Sequence, residues 1–583
     1  MPGAPDITIE KPPESIPVRL RTREEAALQE VGATAVSKPV SLVIVVAFLA
    51  SLVSVAGIQH WHELSGSAPA SSDSRLPGAY DIVFGLPGVV AAVAESKGSW
   101  WDRLMVGNHA MLQLIGRYET NLEEESVVSR SLLPRTQALL VRLGGGNEKS
   151  YVGRDGWLFY RPDIDYVTGP GFLDPAWIRH RAAGASGGED APSSDPLPAI
   201  LGFKEQLAVR GIELIVVPAP SKATVHPSRF STRIREDAAP VQNPSFDRFI
   251  RALGDAGVLV FDPAERLAGL HSRDARPQFL RTDTHWRPES MERIASELAA
   301  LVNRRIQFKD TDPAGFPTET VEVSGFGDIA AMLRLPKDQN TIDPEQVQVR
   351  QVMDAAGLWR PSRDSEVLLL GDSFSNIYSL AEMGWGEAAG FAEHLSLHLG
   401  RPVDAILRND NGSFATREAL VRDLRRGTDR LEGKKVVIWQ FAARELAFGD
   451  WKQFSLELGE PPTPSFVVPP EGEVWDVSGA VEEVSRAPRP GSVPYKDHIV
   501  SVHLVSLQRA DGVESGSDAV VYLTSMKDNV WTSAARLREG STIRLKLRPW
   551  SEAAPDLERI NRSELADVQL QFEEPCWGEL IDG

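Results

Sequence analysis

With 583 residues the chain is too long for one hydrophobic core and implies two or three domains. Apolar residues at 42% and charged residues at 25% are the composition of a folded protein. A net charge of −19 argues against nucleic acid, because phosphate binding needs a positive field. The single cysteine, Cys576, excludes an intrachain disulfide, a thiolate metal cluster and a CxxC redox pair.

Residues 40–58 (VSLVIVVAFLASLVSVAGI) carry neither charge nor proline. At about 1.5 Å per residue they nearly span a hydrocarbon core of about 30 Å, which predicts a transmembrane helix. The segment starts too far into the chain, and runs too long, for the apolar part of a signal peptide. Arg19, Arg21, Arg23 and Lys38 precede it, whereas only Arg75 follows closely. The positive-inside rule therefore leaves residues 1–39 in the cytoplasm and everything after the helix outside.

Residues 59–150 read as a stalk and a helical neck. The stretch 64–80 is small, polar and proline-bearing. Leu104, Met105, Met111, Leu112, Leu114 and Ile115 then recur at helical spacing until the glycines at 144–146 break the pattern. From 151 to 460, continuous apolar runs of strand length (212–217, 258–261, 367–370 and 436–439) alternate with amphipathic helices such as 288–304. Runs buried on both faces predict an α/β domain with a mainly parallel sheet flanked by helices. The low-complexity stretch 182–196 reads as a disordered loop.

Beyond 466 the period changes to two. Segments 499–507 and 520–524, and Ile543, Leu545 and Leu547 interleaved with Arg544, Lys546 and Arg548, predict a small antiparallel β domain over 466–583, OB-like in type. Its outward basic row and Trp531, Trp550 and Trp577 suggest a glycan-binding face. The plainer alternative is a solvated face with the tryptophans in the core.

The chemistry concentrates in two short blocks. In 367–375 (VLLLGDSFS) a buried strand ends in Gly-Asp-Ser and enters a helical pattern to about Met383. Ligands of open α/β sheets bind beyond the carboxyl ends of strands, so Ser373 stands where a nucleophile would, although Asp and Ser are also ordinary helix caps. In 281–288 (RTDTHWRP) Asp283 and His285 form an extended i, i+2 pair that lets a carboxylate orient an imidazole. A serine hydroxyl needs a base to take its proton, and that base needs a fixed tautomer. Ser373, His285 and Asp283 supply the three roles.

Together with 153–160 (GRDGWLFY), 217–227 (VPAPSKATVHP) and Asn411–Gly412, these blocks resemble in order and separation the SGNH-like domain of alginate O-acetyltransferases of the AlgJ and AlgX type. The resemblance covers about residues 150–450, and Asp-x-His precedes Gly-x-Ser as it does in that family. It implies Ser373 as nucleophile, His285 as base, Asp283 as its orienting partner and Asn411 as oxyanion donor. Asn409 stands two residues away, and Asn-Gly is also a common turn. Lys222 and Trp157 fall in family blocks with a structural role, and no glycine matches the second SGNH block. No phosphate loop, HExxH or other metal-ligand pattern is present, so neither cofactor nor metal is expected.

The resemblance implies an O-acetyltransferase that carries acetyl on serine to hydroxyls of an exported polysaccharide. Its acetyl would come from a membrane partner of the MBOAT type. The chain would sit in the cell inner membrane by a single pass, with the catalytic domain periplasmic. An acetyl esterase of SGNH type, or an inactive polysaccharide-binding or assembly protein, are the alternatives. The intact Ser-His-Asp set speaks against the latter.

Overall fold

The computed structural model describes residues 37–581 apart from 65–80, 97–98, 185–191, 275, 310–314, 337, 339–340, 356, 426, 460–465, 492, 494, 511–517, 538–539, 566 and 568–569. Residues 1–36 of the expected cytoplasmic segment 1–39, residues 65–80 of the stalk and residues 185–191 of the low-complexity loop therefore lie outside the described residues. The chain divides into two compact units, Met1–Leu133 and Pro134–Gly583.

The first unit is helical. Helix α1 is Lys38–Leu64, α2 Asp81–Glu95 and α3 Trp100–Glu125. Helices α2 and α3 pack where glycines leave room, Gly85 against Leu114 and Gly107 against Val93. The transmembrane helix expected over 40–58 falls within α1. Among the described residues no helix is long and apolar enough to cross a membrane, so that expectation finds no support here.

The second unit opens on the helix Val127–Arg142, which begins before its boundary, and is built around a five-stranded, all-parallel sheet. Its strands are β1 Glu213–Ala219, β2 Leu259–Val260, β3 Val367–Gly371, β4 Asp404–Leu407 and β5 Val436–Ala442, in the spatial order β2-β1-β5-β3-β4. Successive side chains feed opposite cores. Ile215, Val217, Val367, Leu369, Val436 and Ile438 enter one cluster, and Leu214, Val216, Leu368, Leu370, Val437 and Trp439 the other. This is why the strands read as unbroken apolar runs rather than alternations. Helix α4, Pro288–Arg305, covers the first face through Met291, Ile294, Leu298 and Val302. An antiparallel hairpin, Thr318–Gly325 with Glu345–Asp354, was not visible in the sequence; its first strand alternates between exposed and half-buried and buries no apolar run.

The C-terminal region is a closed barrel of β6 Trp475–Val484, β7 His498–Arg509, β8 Ala519–Lys527, β9 Thr542–Pro549 and β10 Pro575–Leu580. Strand β6 pairs with β7 and β9, β8 with β7 and β10, and β9 with β10, so the ring has no open edge. The antiparallel expectation is corrected in one seam: β8 and β10 run parallel. Strand β9 keeps the expected register, with Leu545 and Leu547 buried and Arg544 and Lys546 exposed. The aromatics follow the plainer alternative in part. Trp577 is buried with Ile499, Tyr522 and Ile560, half-buried Trp550 packs on that cluster, and the half-buried Trp531 donates its indole N–H to the Pro488 carbonyl.

Candidate active site

Ser373 is placed by a turn that admits little variation. At Gly371 a Cβ would lie 2.4 Å from Ser375 Oγ, so the strand end needs glycine. Asp372 then caps the single-turn helix α5, Ser373–Asn376, by accepting from the Phe374 amide at 2.9 Å. Its carboxylate also takes Gln440 Nε2 at 2.7 Å and the Ala442 amide, which ties the turn to β5. The helical pattern expected to Met383 is corrected: α5 ends at Asn376, and a separate 3-10 turn spans Ala381–Met383.

His285 arrives from a loop pinned to that turn. The Trp286 indole donates to the Phe374 carbonyl at 3.0 Å, the Tyr378 hydroxyl donates to the Trp286 carbonyl at 2.6 Å, and the His285 and Phe374 rings lie 4.8 Å apart. Asp283 accepts His285 Nδ1–H at 2.6 Å. A carboxylate only accepts, so this bond fixes the proton on Nδ1 and leaves Nε2 as the free base nitrogen. Among the described residues that buried Nε2 has no hydrogen-bond partner, Ser373 Oγ included. Asp283 and His285 lie against the Ser373 turn, and all three residues are about 2% exposed or less.

Two further groups hold Asp283 and carried no sequence signal. Its second oxygen accepts the Asp328 amide and the Trp385 indole, each at 2.9 Å. Gly327 makes the first contact possible. Its φ of +83° and a Cβ that would sit 2.5 Å from the Thr282 carbonyl exclude other residues. Asp328 in turn accepts the Thr284 amide at 2.7 Å and the Thr284 hydroxyl at 2.6 Å. Burial alone would raise the Asp283 carboxyl, but His285 and these donors hold it well below the usual carboxylate range. Burial would lower His285, yet the charge and hydrogen bond of Asp283, with Asp328 behind it, leave it raised. Asp328, desolvated beside the Asp283 charge, is pushed up to about 6.

Asn411 does not face this centre. It is exposed, has φ of 53°, and its carbonyl accepts the Phe414 and Ala415 amides, so it forms the turn into the next helix. Asn409 is the residue that turns inward. It is buried, its Oδ1 accepts Asn376 Nδ2 from the Ser373 turn at 2.8 Å, and its own Nδ2 is left without a partner. The strand order explains the choice, because Arg408 donates its amide to Gly371 and brings the end of β4 beside the end of β3.

Among the described residues two side-chain groups have metal-ligand composition. Asp283, His285 and Asp328 are one, but Nδ1 is already engaged by Asp283. Glu292, His394 and His398 are the other, and there the Arg350 guanidinium pairs with Glu292.

A family model described as an SGNH hydrolase-like domain of the acetyltransferase AlgX matches residues 151–443, just over half of the chain. The chain belongs to this family. Curated relatives include a probable alginate O-acetylase AlgJ of Pseudomonas aeruginosa, 25% identical over 323 residues, which cover 52% of this chain and 73% of the relative. Another, from Pseudomonas syringae pv. tomato, is 26% identical over 349 residues, covering 58% and 79%. A solved O-acetyltransferase domain of Pseudomonas putida AlgJ aligns with a TM-score of 0.38 at 25% identity, covering 52% of this chain and 93% of that one.

Within this AlgX-type domain Lys222 joins two of the sequence blocks. Its buried ammonium donates to the carbonyls of Leu158 at 2.8 Å and Arg281 at 3.1 Å, and burial brings its pKa down to about 8. Trp157 and Phe159 lie around it, their ring centroids each 5.7 Å from Nζ.

Proposed function

We propose that the protein is a polysaccharide O-acetyltransferase that works through a Ser373 acyl-enzyme. Ser373 Oγ attacks the acetyl carbonyl carbon while its proton passes to His285 Nε2, and the carbonyl oxygen gathers negative charge. Asn409 Nδ2, rather than Asn411, donates to that oxygen. Collapse breaks the bond to the donor's leaving group, which takes the proton from His285. A sugar hydroxyl then repeats the sequence in reverse, giving its proton to Nε2 and leaving with the acetyl group. Asp283 stays ionised throughout and holds the imidazole in one tautomer. The observation that carries this reading is the buried Nε2 of an Asp-bound histidine, unpartnered among the described residues, on a loop pinned to the Ser373 turn of an acetyltransferase-family domain.

The near-complete burial of Ser373 and His285 favours a sugar over water as acceptor, because transfer requires that water be kept from the acyl-enzyme. The acetyl group comes from a membrane donor of the MBOAT type, and the catalytic unit works on the outer side of the inner membrane. Incubating the full chain with an activated acetyl ester and a panel of oligosaccharides, read by mass spectrometry, tests the proposal. Acetylated sugar and an acetyl group on Ser373 are expected. Release of free acetate alone with every acceptor would make it an esterase.

A further inference from the structure

The family match ends at residue 443, yet the loop that bears Asn409 is held from beyond that limit. The Asn409 amide donates to Asn561 Oδ1 at 2.7 Å, and Asn561 Nδ2 donates to Asp410 Oδ2 at 2.9 Å. Asn561 thus clamps both residues of the pair with one side chain. It is itself anchored on the barrel, where the Ile499 amide of β7 donates to its carbonyl at 2.9 Å. Tyr495, also from the barrel region, is buried and its hydroxyl interacts with the same Asp410 and Asn561. One residue upstream, half-buried Arg408 donates to the Glu558 carbonyl at 2.7 Å.

These contacts are more than domain adhesion. Buried polar groups need partners, and here the partners of the Asn409–Asp410 backbone and carboxylate come from the barrel. A loop amide aimed at a developing oxyanion acts only if its direction is fixed, and a displacement of about 1 Å can cost on the order of 100-fold. The outer residues that fix such groups belong to the working site as much as the donors do.

We infer that the C-terminal barrel is a structural part of the catalytic centre, and that Asn561 is a positioning residue that, by holding the Asn409 backbone amide, aims the Asn409 side-chain Nδ2 at the acetyl oxygen. The barrel is therefore no detachable glycan-binding accessory. The inference rests on the Ser373 acyl-enzyme reading and deepens it.

The test uses the full chain with p-nitrophenyl acetate, a probe too small to need a glycan-binding surface. Asn561→Ala is expected to lower kcat about 10- to 100-fold with KM within about twofold, the pattern of a lost transition-state contact. The acid limb of its pH profile should not move, because His285 and Asp283 are untouched. On an Asn409→Ala background the same change should add almost nothing, since a positioning residue has nothing left to position. Costs that multiply in the double variant, or an unchanged kcat in Asn561→Ala, overturn the inference. Tyr495→Phe keeps the ring and removes only the hydroxyl, so it is read by the same criteria should Asn561→Ala fail to fold. Ser373→Ala run in parallel separates the two levels. Turnover that survives it sinks the acyl-enzyme reading, whereas turnover lost there but intact in Asn561→Ala and Tyr495→Phe sinks the barrel's role alone.

Discussion

The α/β region and the barrel meet the same site in opposite ways. The α/β region supplies the proposed reacting groups from short blocks at the ends of strands and loops, so each block announces its chemistry locally. The barrel supplies one asparagine with no motif around it, in the sequence ERINRSEL, and its contribution exists only because folding brings it against Asn409. Motif scarcity in a region is therefore no measure of its distance from the chemistry. The barrel's conspicuous features mislead in the same sense. Trp550 and Trp577 build the cluster around Ile499 and Tyr522, and Arg544 and Lys546 lie on an exposed strand face.

The comparison can be broken first at the nucleophile. Ser373→Ala should reduce acetyl-ester turnover by about 10⁴-fold or more, while thermal unfolding stays close to that of the parent chain. A folded variant with residual turnover would remove the α/β region's claim to the chemistry. His285→Ala combined with Ser373→Ala should cost little beyond either single change, because the two act in one step.

The next effect is on pH dependence. His285 accepts a proton only when neutral, and its pKa is raised, so activity should fall on acidification through a midpoint above the ordinary histidine value of about 6.5. Asp283→Ala removes the main group that raises it, leaving burial to lower it, so the acid limb should move to lower pH. A rate profile with a fixed limb would show that Asp283 does not set the base. The rate at the plateau should also drop, by about 10³-fold or more, because the tautomer is no longer held.

For the barrel the expected readout is stability rather than sugar affinity. Trp577→Ala should lower unfolding free energy by about 3–5 kcal/mol, the scale for a buried aromatic truncated in a core. Denaturant titration would check this, and a variant of parental stability with weakened polymer binding would restore the glycan-face reading. The smallest effect is expected at Asn411 and at Lys546. Asn411→Gly fits the positive φ and should leave turnover within about twofold, as should Lys546→Ala on an exposed face. A loss at Asn411 comparable to that of Asn409→Ala would return the oxyanion role to it.

The sequence by itself determined the parts whose physics is local. Apolar runs of strand length specified a sheet buried on both faces, and four of its five strands stand where those runs lie. Strand β4 escaped because Asp404–Leu407 is short and opens on a buried aspartate paired to Arg430. The Asp283–His285 pair was readable because i, i+2 spacing in extended chain already places a carboxylate beside an imidazole. Period-two alternation fixed the register of β9 for the same reason. What tertiary structure decided spans long separations. Asp328 reaches Asp283 across 45 residues, Trp385 across 102, and Asn561 reaches Asn409 across 152. The choice of Asn409 over Asn411 belongs with these. Two asparagines two residues apart have identical chemistry, and only the turn at 411 and the strand order that sets β4 beside β3 turn one outward and the other toward Ser373.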